Sequence, residues 1–333
     1  MNAESLQPFP NGWFAVAFSS ELKPGAVRIV RFMDGERVLY RTHSGTACMI
    51  EPYCPHLGAH FGHGGKVDGE HLVCPFHGFR YGVDGYCANR GPQSGPGRIS
   101  TNHWHIREIN GVLQAWHDSE GRSPAWQLPQ LDLGSYSAPR HTSLEVRGHI
   151  QNFTENTIDR AHYSPIHALT DFALAPPLFD GHRMEVDLAA RWRKLPFRMH
   201  LDIHGLGHTF LTSELPDLGV KIVSLVMPTP TSAHTWILRH VQRLRIPAIA
   251  KLPAPLRAVL YAPLTWYIDH WLKSQLTLDT QIWNYRRYPE HPRLTQEDGP
   301  IMGYRRWAAQ FYPITAPSRH EQSLAEADPV WTG

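Results

Sequence analysis

Short apolar runs punctuated by turn pairs fill the first third of the chain. Residues 13–18, 27–32, 37–40 and 46–50 are alternating or continuous apolar stretches, separated by Pro-Gly, Asp-Gly and Ser-Gly. This predicts short strands joined by tight turns. Residues 80–86 carry Asp84-Gly85 and read as a hairpin, and 111–116 reads as the strand that closes an all-β unit. A proline- and serine-bearing connector covers 124–139, and the pattern then changes. Residues 144–151 read as a strand and 155 to about 162 as a helix ending between His162 and Pro165. Strands follow at 184–188, 198–203, 220–227 and 235–241, then a long helix at 265–285. The mixture predicts an α+β fold, an antiparallel sheet with helices packed on one side. The expected organisation is an all-β domain at 12–118, a connector at 119–140, a second domain at 141–316 and a loose polar tail at 317–333.

Composition narrows the partners. The chain has 333 residues, 19% charged and 42% hydrophobic, with a net charge of +2. That balance is ordinary for a globular protein and gives no reason to expect nucleic acid. Met1-Asn2-Ala3-Glu4 lacks the basic and apolar regions of a signal peptide, and no apolar run reaches membrane-spanning length. A cytoplasmic location is expected.

Cysteine and histidine usage supplies the chemistry. Cys54-Pro55-His56 and Cys74-Pro75-Phe76-His77-Gly78 each offer one thiolate and one imidazole. A Rieske [2Fe–2S] cluster needs that set, two histidines replacing two cysteines on one iron. A structural zinc site also accepts two Cys and two His, but usually pairs like with like in each half. The mixed halves favour the cluster, which accepts electrons from a flavin or ferredoxin donor. Cys48 and Cys87 remain, and nothing in the sequence demands a disulfide between them.

Residues 152–167 suggest a second metal. Asp159 and His162 are three apart, one helical face. His162 and His167 are five apart, about 140° around a helix, too far for one ion unless Pro165 turns the chain. Two histidines and one carboxylate form the facial triad of non-haem Fe(II) oxygenases, with positions open for O2. Asp279 is the expected carboxylate, because it interrupts the apolar stripe of the long helix. Asp159 is expected to orient His162 through its second ring nitrogen. His200, His204 and His208 have i, i+4 spacing, but the alternation around them reads as a strand ending in a turn. Positions four apart in a strand are about 13 Å apart, so these are expected to be structural or pocket-lining.

At these residues the chain resembles the oxygenase components of Rieske non-haem iron oxygenases. Tyr53-Cys-Pro-His-Leu-Gly-Ala-His60, Cys74-Pro-Phe-His-Gly-Phe79, Phe9-Pro-Asn-Gly-Trp-Phe14 and His204-Gly-Leu-Gly207 are most similar to the ketosteroid 9α-hydroxylase and sterol-desaturase branch. The resemblance implies a helix-grip catalytic domain, the cluster on Cys54, His56, Cys74 and His77, and iron on His162, His167 and Asp279. It further implies a homotrimer in which Asp159 joins His77 of one chain to His162 of the next. No flavin or nicotinamide fingerprint is evident, so a separate NAD(P)H-dependent reductase or ferredoxin is implied. The expected activity is O2-dependent hydroxylation or desaturation of a steroid or similar lipophilic polycycle. An aromatic-ring dioxygenase or an O/N-demethylase of small molecules is the alternative. Residues 243–271 place Arg243, Arg245, Lys251 and Arg257 among apolar residues, read either as a weak membrane-surface contact or as a helical cover with a solvated basic face.

Overall fold

The computed structural model describes residues 7–89 and 99–313, so the expected tail at 317–333 lies outside the described residues. The N-terminal lobe holds three small antiparallel sheets. Gly12–Phe18, Val112–His117 and Ile106–Ile109 form the first. Val27–Phe32, Gly35–Arg41 and Ala47–Ile50 form the second, and Lys66–Asp68, His71–Val73 and Arg80–Tyr81 the third. The Asp84-Gly85 turn is closed by Gly82 N–H donating to Tyr86 O at 2.9 Å. Gly85 has φ +75°, and a Cβ there would lie 2.4 Å from Thr101 O.

The C-terminal lobe is built on an eight-stranded antiparallel sheet. In spatial order its strands are Arg140–Arg147, Thr235–Arg245, Val220–Ser232, His208–Leu215, Leu195–His204, Arg183–Trp192 and Thr170–Leu174, with Leu178–Asp180 also paired to Arg183–Trp192. The helices are α1 (Gln151–Asn156), α2 (Tyr163–His167), α3 (Pro247–Ala250), α4 (Ala254–Trp283) and α5 (Ile301–Ala309).

Strand alternation decides what each face of the sheet meets. Phe210, Leu225, Met227 and Val241 share one core with Trp13, Trp116 and Leu128 of the N-terminal lobe. Their neighbours Thr209, Leu211, Ser224 and Val226 line a cavity shared with α4. Burial on both faces explains the unbroken buried run from Val223 to Thr231. It also explains why these strands extend past the expected 220–227 and 235–241.

The lobes meet at a β-bulge. The register of Gly12–Phe18 shifts between Ala15 and Ala17. The Ala15 carbonyl accepts from Thr229 Oγ1 and from buried Arg239 Nη1, both at 2.7 Å. Gly207 completes the contact, since a Cβ there would lie 2.2 Å from Trp13 O. The His204-Gly205-Leu206-Gly207 stretch is thus the turn between two strands, and it seats the N-terminal lobe.

Three sequence expectations need correction. The strand expected at 144–151 is Arg140–Arg147; Gly148, at φ +96°, turns the chain into α1. The helix expected at 155–162 is instead α1, ending at Asn156, followed by a bend and then α2. Pro165 lies inside the first turn of α2, where a missing N–H is tolerated, and does not end a helix there. The long helix starts at Ala254 rather than 265, with Pro255 in its first turn.

Burial lowers the pKa of His117, His149 and His240 to about 4 and that of His208 to about 3, from an ordinary 6.5. Below 6.5 the unfolded chain binds protons that these four folded sites refuse, so stability rises with pH in that window. The urea midpoint should therefore fall steadily as pH drops from 6.5 toward about 4. A flat midpoint across that interval would contradict this.

Candidate active site

Cys54 and Cys74 open two loops closed in the same way. Cys54 N–H donates to Ala59 O at 2.8 Å and Gly58 N–H to Cys54 O at 2.9 Å. In the second loop Cys74 N–H donates to Phe79 O at 2.8 Å and Gly78 N–H to Cys74 O at 3.2 Å. Gly58 and Gly78 adopt φ of +74° and +68°, open chiefly to glycine. The result separates the two residue types: both cysteines are buried, while His56 and His77 are exposed with ring centroids 4.8 Å apart. Phe79 stacks on His56 at 4.4 Å. Tyr81 Oη lies 3.2 Å from Cys54 Sγ, and burial raises its pKa so far that the phenol stays a donor. Cys48 and Cys87 are free thiols.

The second constellation forms between α1, α2 and α4. His162 caps the start of α2, His167 ends it, and Asp279 comes from the sheet-facing side of α4. Their ligand atoms lie within 4.8 Å of one another. His162 Nδ1 donates to Asp159 O at 2.7 Å and His167 Nδ1 to Gln275 Oε1 at 3.1 Å. An acceptor at each Nδ1 fixes the tautomer that turns the Nε2 lone pair toward the centre of the group. His167 Nε2 lies 3.3 Å from Asp279 Oδ1. The Asn156 amide nitrogen faces the same point, 3.2 Å from His162 Nε2 and 3.4 Å from Asp279 Oδ1. Burial lowers the pKa of His162, which keeps its ring neutral as a metal ligand must be. At His167 burial acts the same way, but the Asp279 carboxylate outweighs it and the pKa is raised.

Asp159 is placed differently from expectation. It sits in the bend between α1 and α2, not on a helical face shared with His162. Its main-chain carbonyl, not its carboxylate, orients the ring; the nearer carboxylate contact, Oδ2 to His162 Nδ1, is 3.9 Å. The carboxylate accepts instead from Ala161 N–H at 3.0 Å and is half-buried.

The triad closes one side of an apolar cavity of about 240 Å³. Trp192, Phe197, Met199, Leu201 and Leu211 line it from the sheet, and Tyr267, Trp271 and Leu276 from α4, with Ser213, Ser224 and Thr209 as polar points. An apolar cavity beside a two-histidine, one-carboxylate set suits oxidation of an apolar molecule.

The chain matches the Rieske [2Fe-2S] domain family over residues 12–109 and the 3-ketosteroid 9alpha-hydroxylase C-terminal domain family over 115–312. The chain belongs to the Rieske non-haem iron oxygenases. As a member of that family it is an oxidoreductase that uses a Rieske [2Fe–2S] cluster, a mononuclear iron and O2. Cholesterol 7-desaturase of Bombyx mori is 30% identical to it over 98% of the chain and 74% of the relative. The oxygenase component of 3-ketosteroid-9-alpha-monooxygenase from Rhodococcus rhodochrous is 26% identical over 91% of the chain and 84% of the relative. Two solved structures share the fold at 16% identity. Dicamba monooxygenase bound to dicamba superimposes with a TM-score of 0.69 over 96% of this chain and 100% of that one. The NdmA QL mutant of Pseudomonas putida CBB5 with caffeine gives 0.71 over 90% and 89%.

This Rieske oxygenase also has site residues that sequence reasoning missed. Asn156 and Gln275 touch the triad but belong to no motif. Glu155, buried beside Asn156, pairs with Arg286 and with Arg305, whose Nε lies 2.7 Å from Oε2. This ties α1 to the segment after α4 and to α5, and so fixes Asn156 against Asp279. The basic residues at 243–257 are largely committed elsewhere. Arg243 Nη1 donates to Ser137 O at 3.1 Å, Arg245 Nε to Ser135 Oγ at 3.1 Å and Arg257 Nη1 to Gly134 O at 3.5 Å. They tie the connector to the end of Thr235–Arg245 and to α4 rather than form a free cationic patch. Arg305→Met should cost about 3 kcal/mol, because it strips one cation from a buried carboxylate. Urea unfolding measures it, and a loss under about 1 kcal/mol would mean that Glu155 is not dependent on this pair.

Proposed function

We propose that this chain is the oxygenase component of a multicomponent monooxygenase that hydroxylates or desaturates a steroid or sterol-like polycycle. In this reading residues 12–118 carry electrons and 141–316 carry out catalysis, with 119–140 connecting them. Cys54, His56, Cys74 and His77 hold the cluster, and His162, His167 and Asp279 hold Fe(II). The observation that carries the reading is the convergence of two Nε2 lone pairs and one carboxylate beside an apolar cavity. The activities named for the Bombyx mori and Rhodococcus rhodochrous relatives support the substrate class. The free thiols of Cys48 and Cys87 suit a cytoplasmic location.

When bound, the cluster and the iron supply electrons and the activation of O2. The protein's own part is positioning. Asp159 O and Gln275 hold the imidazoles in one tautomer, and the Asn156 amide offers a hydrogen-bond donor beside Asp279. The apolar walls exclude water and hold a rigid hydrocarbon by burial. His56 and His77 are both exposed, which suits electron exchange with another protein. A separate NAD(P)H-dependent reductase or ferredoxin supplies the electrons. In a homotrimer His77 of one copy would face Asp159 of the next, and the half-buried carboxylate of Asp159 suits that bridge.

A single turnover tests the substrate class without a reductase. Anaerobically reduced, iron-loaded protein is mixed with ketosteroids, methylated sterols or small aromatic acids, then with O2, and product mass is read. A steroid should gain one oxygen or lose two hydrogens. Oxidation of the small aromatics alone would establish the dioxygenase or demethylase alternative. Asp159→Asn should retain both metals, because the main-chain carbonyl that orients His162 is unchanged, yet block oxidation of the cluster during turnover. Normal cluster oxidation in this variant would rule out the bridge.

A further inference from the structure

Helix α4 is buried along one side and apolar along the opposite one. Tyr261, Thr265, Asp279 and Trp283 are its sheet-facing buried positions. On the other side Leu256, Val259, Leu260, Pro263, Trp266 and Tyr267 recur at i, i+3, i+4, i+7, i+10 and i+11, the spacing of a buried stripe. Yet Leu256 is 54% exposed, Val259 71%, Leu260 44%, Trp266 62% and Tyr267 57%. An apolar stripe of this length left in water marks an interaction surface.

We infer that this stripe docks on the surface of an anionic lipid bilayer and opens the cavity toward it. Three observations favour lipid as the occupant. No Asp or Glu occurs between Asp217 and Asp269, and the nearest charge before the stripe, exposed Lys251, is basic. Trp and Tyr at one end of an apolar stripe and a basic residue beyond the other are what an interfacial helix presents to headgroups. Tyr267, exposed on the stripe, also lines the cavity, and Trp271 follows it one turn on. A polycycle of low water solubility could thus pass from the bilayer to the cavity without crossing water. A second copy is the lesser candidate: in the proposed trimer it meets the Asp159 end, and the helix rise places Val259 about 30 Å from Asp279.

This deepens the steroid reading by naming where the substrate is collected, but docking is measured without substrate or turnover, so the two can fail separately. Cluster-loaded full chain is sedimented with vesicles of phosphatidylcholine and phosphatidylglycerol. Wild type should co-sediment, Val259→Glu/Trp266→Gln should partition about tenfold less or weaker still, and Val259→Ile/Trp266→Phe should bind like wild type. Absence of wild-type binding would overturn the inference, as would equal binding by the Glu/Gln variant. So would a vesicle-free assembly that the Glu/Gln variant dissociates, since a second copy would then cover the stripe.

Discussion

The site depends on which nitrogen of each imidazole is held. His162 and His167 each give the Nδ1 proton to an oxygen, one from the Asp159 main chain and one from Gln275. That leaves two Nε2 lone pairs converging on the Asp279 carboxylate. Without those acceptors either ring could take the other tautomer and present a proton instead of a lone pair. The rest of the C-terminal lobe acts to keep these acceptors in place. Helix α4 carries both Gln275 and Asp279, one turn apart, so orienter and carboxylate move together. The Glu155 pairs anchor α1, and the bend after it brings Asp159 O to His162.

The sheet gives this arrangement a rigid floor. Its central strands are buried on both faces, by the N-terminal lobe on one and the cavity and α4 on the other. Arg239 and Thr229 converge on the Ala15 carbonyl beside the bulge, so a main-chain acceptor of one lobe is met by donors of the other.

What could be read from the sequence was what chemistry restricts to few residue types. The Cys-Pro-His and Cys-Pro-Phe-His loops and the Asp in the apolar stripe of α4 stand out because ligand chemistry and burial leave few alternatives. The N-terminal strands were legible because turn pairs bound them. The bend at 157–162 was not, because it is stabilised from far along the chain: a Cβ at Gly299 would lie 2.6 Å from Ile158 O, and Arg160 N–H donates to Asp298 O. The local pattern at 155–162 allows a helix, and only the bend hands the contact with His162 to the Asp159 carbonyl. Asn156, Gln275 and Glu155 carry no local signal, since only tertiary contact distinguishes a site amide or carboxylate from a surface one. The strand His208–Leu215 was hidden by its Thr- and Ser-bearing sequence, which lacks clean alternation.

The shared core between lobes limits how the chain can be recombined. Trp13, Trp116 and Leu128 pack with Phe210, Leu225, Met227 and Val241 in a single cluster, and Gly207 admits the Trp13 carbonyl at contact distance. The N-terminal lobe is therefore not an interchangeable cassette. A chimera that joins it to another oxygenase's sheet would need to bring the glycine turn and the facing apolar residues with it. Otherwise the graft buries a clash on one side and leaves tryptophans uncovered on the other.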